Sequence, residues 1–353
     1  MGERKNSRSP RGLAGNCLTT AMGILPHRDA ERALELSLSL DIPFWPQLPG
    51  ISFYEDMYAQ ASEHFPGITL DRQRREIHFS LERFHRDLEE YVNRWEEESY
   101  FRLSPRYSAV YHQFLKKELS GYRYIRGQSI GPVSFGMKIQ DHKRRPMIYF
   151  DEVREILFDF FARKLQAQYS DLREIHPRPF VWVDEPGLEM LFMSYTGYTS
   201  ERASADYRLF LERFPGPRGV HLCGNPDWSF LLDLDLDILS LDVLARGYIF
   251  SRYREEIRSF LNRGAVISWG ITPTLTEEYL EEDLHSMIDR INELWSHLEQ
   301  GGIAREQLLR QAWFAPARCC LINSDGEATV ERSFKLLKKV AAHFRKELNT
   351  PLL

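Results

Sequence analysis

Short apolar runs, each followed by a longer stretch with helical spacing of apolar positions, recur along most of the chain. Runs at 18–25, 125–136, 180–183, 219–223, 238–241, 265–269 and 313–315 read as buried strands. Continuous apolar stretches of this length suit a sheet covered on both faces. The stretches at 29–40, 150–169, 200–214, 228–234, 253–262, 277–299 and 328–348 read as helices. Their apolar residues recur three and four apart and so share one helix face.

Strand-then-helix order without a central linker predicts one α/β domain on a parallel sheet. With 42–44 included the strands number eight, the count that closes a (β/α)8 TIM barrel. A doubly wound open sheet is the alternative. The expected organisation is a disordered start at 1–15 and a single TIM-barrel domain over 16–353. An insertion at about 53–120 is richer in helix and charge than a connection needs, with helices around 81–98 and 107–119.

Composition narrows the function classes. The chain has 353 residues, 43% of them hydrophobic and 27% charged, which suits a globular domain with a large core. A net charge of -5 argues against a nucleic-acid partner, which needs a basic face. The basic residues at 4–11 are few and mixed with Ser, Pro and Gly. No apolar run approaches a membrane span, and the first residues lack the apolar core of a signal peptide. Four cysteines are too few for a disulfide framework, so a reduced, cytoplasmic protein is expected, with clustered cysteines pointing to metal or catalysis.

The end of the 219–223 strand carries His221 and Cys223. Residues two apart on a strand point the same way, so both can reach one ion while Leu222 faces the opposite side. Cys319 and Cys320 follow the last strand, and in a barrel the carboxyl ends of distant strands share one rim. Mixed nitrogen and thiolate donors select zinc over magnesium or calcium. Cys17 precedes the first strand and stands apart from this set.

The run His221-Leu-Cys-Gly-Asn-Pro-Asp-Trp228, followed by Asp235-Leu-Asp-Ile-Leu-Ser-Leu-Asp242, resembles the catalytic domain of cobalamin-independent methionine synthase. That domain shares a barrel superfamily with uroporphyrinogen decarboxylase. Further segments agree in the same order: Thr19-Thr20-Ala-Met-Gly-Ile-Leu-Pro-His27, Gly131-Pro132-Val133-Ser134, Asp184-Glu185-Pro186-Gly187-Leu188, Ser268-Trp269-Gly270-Ile271 and Cys319-Cys320-Leu321. The likeness runs from about residue 18 to the end of the chain. The family's duplicated N-terminal barrel, which helps hold folate, has no counterpart here.

The resemblance implies zinc held by His221, Cys223 and Cys319, with Asp242 where the family has a glutamate ligand. It prefers Cys319 over Cys320 through the Cys-x-Leu match. Asp184 matches the acidic residue that contacts the substrate amine, and Glu185 and Thr20 are its expected companions in substrate binding. His27 reads as a loop histidine satisfied by backbone, and Phe44, Trp45, Tyr54 and Tyr58 as core or as the wall of a pocket.

The expected activity is a zinc-dependent methyl transfer to a small-molecule thiol such as homocysteine. The donor is methylcobalamin on a corrinoid carrier protein, or methyltetrahydrofolate. Two other readings stay open. One is a non-catalytic barrel that binds zinc or a small ligand. The other is a decarboxylase of the uroporphyrinogen type, which needs arginines near the first strand, where Arg28 alone is close in sequence.

Overall fold

The computed structural model describes residues 13–191 and 198–349. The basic stretch at 4–11, and all but the last three residues of the expected disordered start, lie outside the described residues. Among the described residues nine strands form: β1 (Leu18–Thr19), β2 (Ile68–Asp71), β3 (Glu76–Phe79), β4 (Ile125–Ile130), β5 (Pro179–Asp184), β6 (Arg218–Leu222), β7 (Ile238–Asp242), β8 (Val266–Thr272) and β9 (Ala312–Pro316). Seven make one sheet in the order β1–β9–β8–β7–β6–β5–β4, every neighbouring pair parallel.

The expected eighth strand at 42–44 does not form, although the segment lies between the two edge strands. Ile42 N–H donates to Thr19 O (2.9 Å) and Arg126 N–H to Pro43 O (2.9 Å), and Phe44 makes a single parallel bridge to Arg126. Pro43 and Pro46 lack the amide donors that a ladder needs. The result is a curled seven-stranded sheet with an irregular segment at its seam, and not eight regular strands. For a related reason β1 is shorter than the run at 18–25: past Thr19 the chain leaves the ladder, touching Gln47 from Ile24 and ending at Pro26.

Alternation along the strands divides the core in two. Phe180, Trp182, Ile238, Val266, Trp313 and Ala315 pack with Met22, Ile42 and Tyr124 on one face. Val181, Val183, Val220, Leu222, Leu239, Leu241, Ile267, Ala312 and Phe314 join the larger cluster under the helices. Of these helices, Asp151–Ile175 is the longest and Ala328–Asn349 the last. Phe314 stacks on Phe344 of the final helix, with ring centroids 5.3 Å apart.

The region after residue 53 contains helices Leu81–Arg94, Glu98–Phe101 and Ala109–Phe114, together with an antiparallel hairpin of β2 and β3 that was not among the expected strands. Its turn is highly charged and its strands only four residues long. The region is anchored by buried Glu55, whose carboxylate accepts from Ser108 Oγ (2.7 Å) and Val110 N–H (3.2 Å) at the start of helix Ala109–Phe114. No helix among the described residues is long and apolar enough to cross a membrane.

Phe314 is fully buried between sheet and helix. Phe314→Ala is expected to cost about 3–5 kcal/mol of unfolding free energy, the usual range for emptying an aromatic core position. Urea unfolding measures this, and a loss below about 1 kcal/mol would contradict the packing of the last helix.

Candidate functional site

Parallel register sets which side chains meet at the carboxyl ends of the strands. Asp184 on β5 pairs with His221 on β6, and His221 with Ser240 on β7. Continuing two residues at a time on the inner face puts Cys223 beyond His221 and Asp242 beyond Ser240. Cys319 follows β9 and packs against the same inner cluster that holds Trp182. Cys320 belongs to the outer cluster, and its Sγ contacts Ile322 O at 3.7 Å. The two adjacent cysteines therefore serve opposite sides of the sheet.

His221 is buried and held by one nitrogen. Its Nδ1 lies 3.0 Å from Ser240 Oγ, while Nε2 is buried with no hydrogen-bond partner. The ring stacks on Trp182, centroids 6.0 Å apart and planes 23° from parallel. Burial, assisted by the charge of Arg126, pushes its pKa down to about 3, so the imidazole is neutral at ordinary pH. A neutral ring with one nitrogen fixed by a neighbour and the other free is the form that ligates a metal.

The two thiols stand in a common field. Burial raises Cys223 first, with the carboxylates of Asp184 and Asp242 adding to it. Cys319 is pushed well above the usual thiol range by burial, then by Asp184 and Cys223. Without a cation both remain protonated, and a bound cation would reverse this. Zinc is thus compatible with the donor types of His221, Cys223 and Cys319. Their ligand atoms, however, are not all drawn together: among the described residues the group whose ligand atoms lie within 4.8 Å of one another is His27, Glu327 and Glu331.

Asp242 is otherwise engaged. One oxygen accepts from Ala245 N–H at 2.9 Å, capping helix Val243–Phe250. The other meets Arg318 at 3.0 Å, and Arg318 also pairs with Glu278 at 3.1 Å. A ligand role for Asp242 would have to break this ion pair.

Asp184 is nearly inaccessible (4%), and neither carboxylate oxygen has a partner. Burial raises its pKa to about 7 against the opposing pull of Arg126. Glu185 points elsewhere. It accepts from Val133 N–H (3.2 Å), Ser134 N–H (2.8 Å) and Ser134 Oγ (2.5 Å) at the start of helix Pro132–Lys138. Gly131 is required there, since a Cβ would stand 2.0 Å from Glu185 Oε1. Thr20 is likewise occupied, its Oγ1 donating to Ile42 O at 3.1 Å. Expected as substrate contacts, Glu185 and Thr20 instead spend their polar atoms on the framework.

Arg126 is the residue that sequence reasoning missed. It is fully buried on β4, with its guanidinium 3.8 Å from the Trp182 ring centroid and 5.0 Å from that of Phe44. Nη2 donates to Ala21 O, whereas Nε and Nη1 have no partner. Desolvation lowers its pKa to about 9, still charged at neutral pH. Its signal was a lone charged residue inside a strand otherwise free of charge. Tyr58, from the region after residue 53, also reaches the site: Glu185, Asp56, Asp184 and Cys223 all add to the burial that raises its phenol. Phe44 supports Arg126, and Trp45 packs on Tyr111 at 5.1 Å.

The pH dependence follows from Asp184. Its folded pKa of about 7 exceeds the ordinary value of about 3.9. Between those values the folded chain binds more protons, so its contribution to stability is lost as pH rises through about 7. Asp184→Asn removes that loss. In thermal melts of metal-free protein, the variant's midpoint relative to wild type is expected to climb from pH 4 to pH 8. A constant difference would contradict the buried, unpaired carboxyl.

No protein-family model and no curated protein sequence matches the chain. Among solved structures, a methyltransferase from Methanosarcina mazei superposes with a TM-score of 0.57 at 14% identity, covering 97% of this chain and 96% of that one. At that identity the likeness is one of fold, and it extends over nearly the whole of both chains.

Proposed function

We propose that the protein is a zinc-dependent methyltransferase with a thiol acceptor. The observation that carries this reading is His221: buried, neutral, fixed by Ser240 through one nitrogen and free at the other, on the inner face that also carries Cys223 and Cys319. The whole-chain likeness to a methyltransferase and the ordered motifs shared with methionine synthase support it.

His221, Cys223 and Cys319 would hold the ion, leaving a position open for substrate. Zinc, when bound, would supply the positive charge that removes the proton from an acceptor thiol and so exposes its nucleophilic form. The chain's own groups would orient the acceptor. Asp184, ionised, would receive an ammonium group, and the two unpartnered N–H groups of Arg126 would receive an anionic group such as a carboxylate. Tyr58, whose phenol senses Asp184 and Cys223, would stand beside the acceptor. The methyl group's bond to its donor then breaks as its bond to sulfur forms, and much of the acceleration comes from alignment. A methyl-corrinoid on a carrier protein is the first donor in this reading, and methyltetrahydrofolate the second. Homocysteine and similar amino-acid thiols are the favoured acceptors.

Purified protein is expected to contain zinc, one equivalent of which is lost in Cys223→Ser. Ser240→Ala should weaken that zinc by about 10–100-fold, the usual effect of removing a partner that orients a ligating histidine. Methyl transfer from methylcobalamin and methyltetrahydrofolate to a thiol panel, with zinc present, tests the reaction. Activity that survives in zinc-free protein would sink the reading.

A further inference from the structure

A second cluster of donors lies apart from the strand-end set. His27 sits in the loop after β1, wholly buried. Glu327 and Glu331 flank the first turn of helix Ala328–Asn349, four residues apart and so on one face. The ligand atoms of all three fall within 4.8 Å of one another.

His27 makes this more than an acidic patch. Both of its ring nitrogens are buried without a hydrogen-bond partner. Nε2 points at Glu331 Oε1 from 3.6 Å, too far for a hydrogen bond. Two donors sharing one ion at about 2.0–2.2 Å each sit roughly 3–4 Å apart, so the gap matches a missing cation. A buried imidazole with neither nitrogen satisfied carries an uncompensated cost. Burial also lowers its pKa, which favours the neutral, ligating form and weakens any simple ion pair with Glu331.

We infer that His27, Glu327 and Glu331 form a binding site for a divalent transition-metal ion, which staples the β1 loop to the last helix. One imidazole with two carboxylates suits zinc or manganese better than magnesium, which avoids nitrogen donors. Arg32 is the resident competitor. Its Nε meets Glu331 Oε1 at 2.5 Å and its Nη1 meets Glu327 Oε2 at 3.3 Å. Its side chain is 54% exposed, free to swing into solvent when an ion enters. The other groups facing the site are Arg28, whose backbone N–H donates to Glu327 Oε1 at 2.9 Å, and Lys335, whose charge acts on Glu331. The staple adjoins the candidate active site, because Cys320 N–H donates to Ile24 O in the same loop.

The test uses the full chain in a Cys223→Ser background, where the strand-end set is disabled. Zinc titrated into this chelator-treated protein is expected to bind one equivalent and raise the melting midpoint. Adding Glu331→Gln, a half-buried change that the fold tolerates, should weaken that binding by more than about tenfold and abolish the shift. Arg32→Ala should tighten binding by removing the competitor. No zinc uptake, uptake indifferent to Glu331→Gln, or weaker uptake in Arg32→Ala would each overturn the site and leave an ion-pair network. Uptake here in a protein whose wild-type form transfers no methyl group supports this site and counts against the functional reading alone.

Discussion

The structure turns on two charges buried in one apolar interior and left unpaired. Arg126 and Asp184 are each the other's chief charged neighbour, yet the Asp184 oxygens and two guanidinium nitrogens have no hydrogen bond. Removing such groups from water costs several kcal/mol per ion after relaxation. Part of this is recovered by Trp182, whose ring lies 3.8 Å from the Arg126 guanidinium. A desolvated cation–π contact of that kind contributes about 2 kcal/mol. The rest appears as displaced pKa values, with Asp184 raised to about 7 and Arg126 lowered to about 9. A framework that wanted only stability would have paired these groups or replaced them with apolar ones.

That electrostatic arrangement also governs the neighbouring donors. The Arg126 charge helps keep His221 neutral, while Trp182 lies between the two, touching the guanidinium on β4 and the imidazole on β6. Ser240 then fixes which nitrogen of His221 is available. Burial, and after it the carboxylate of Asp184, raises both Cys223 and Cys319, so both thiols are held protonated. Each of these couplings depends on parallel register, which brings residues from distant parts of the chain to one height on one face.

Much of this was legible in sequence because period and spacing report directly on strands buried on both faces. The runs ending in Asp184, Cys223 and Asp242 gave both the sheet and the rim, and the opposed packing of Cys319 and Cys320 follows from extended backbone. Three features escaped for identifiable reasons. The segment at 42–44 has strand-like side chains, but Pro43 and Pro46 deny it a ladder. The β2–β3 hairpin does alternate apolar and polar residues, but its strands are only four residues long and sit in a charged stretch that reads as helix and connection. Arg126 carries no functional signal of its own in sequence, because its meaning comes from Trp182 and Asp184, which lie more than fifty residues away. For Glu185 and Thr20, motif position suggested substrate contacts, and local geometry engages their polar atoms with Ser134 and Ile42.

His27 extends the same reasoning to a site that no motif announced. Taken alone, a histidine between Pro26 and Arg28 is a loop residue with abundant backbone nearby. In three dimensions the loop turns it away from backbone and toward Glu331, where it has neither hydrogen bond nor solvent. Its cost is tolerable only if something else enters, and the exposed Arg32 is the one group positioned to yield. The strand-end donors and this cluster thus share a logic. In both, a buried imidazole is left with an unpartnered nitrogen beside acidic or thiol groups. They differ in setting, since His221 lies on the inner face of the sheet between Trp182 and Ser240, whereas His27 lies between the β1 loop and the last helix.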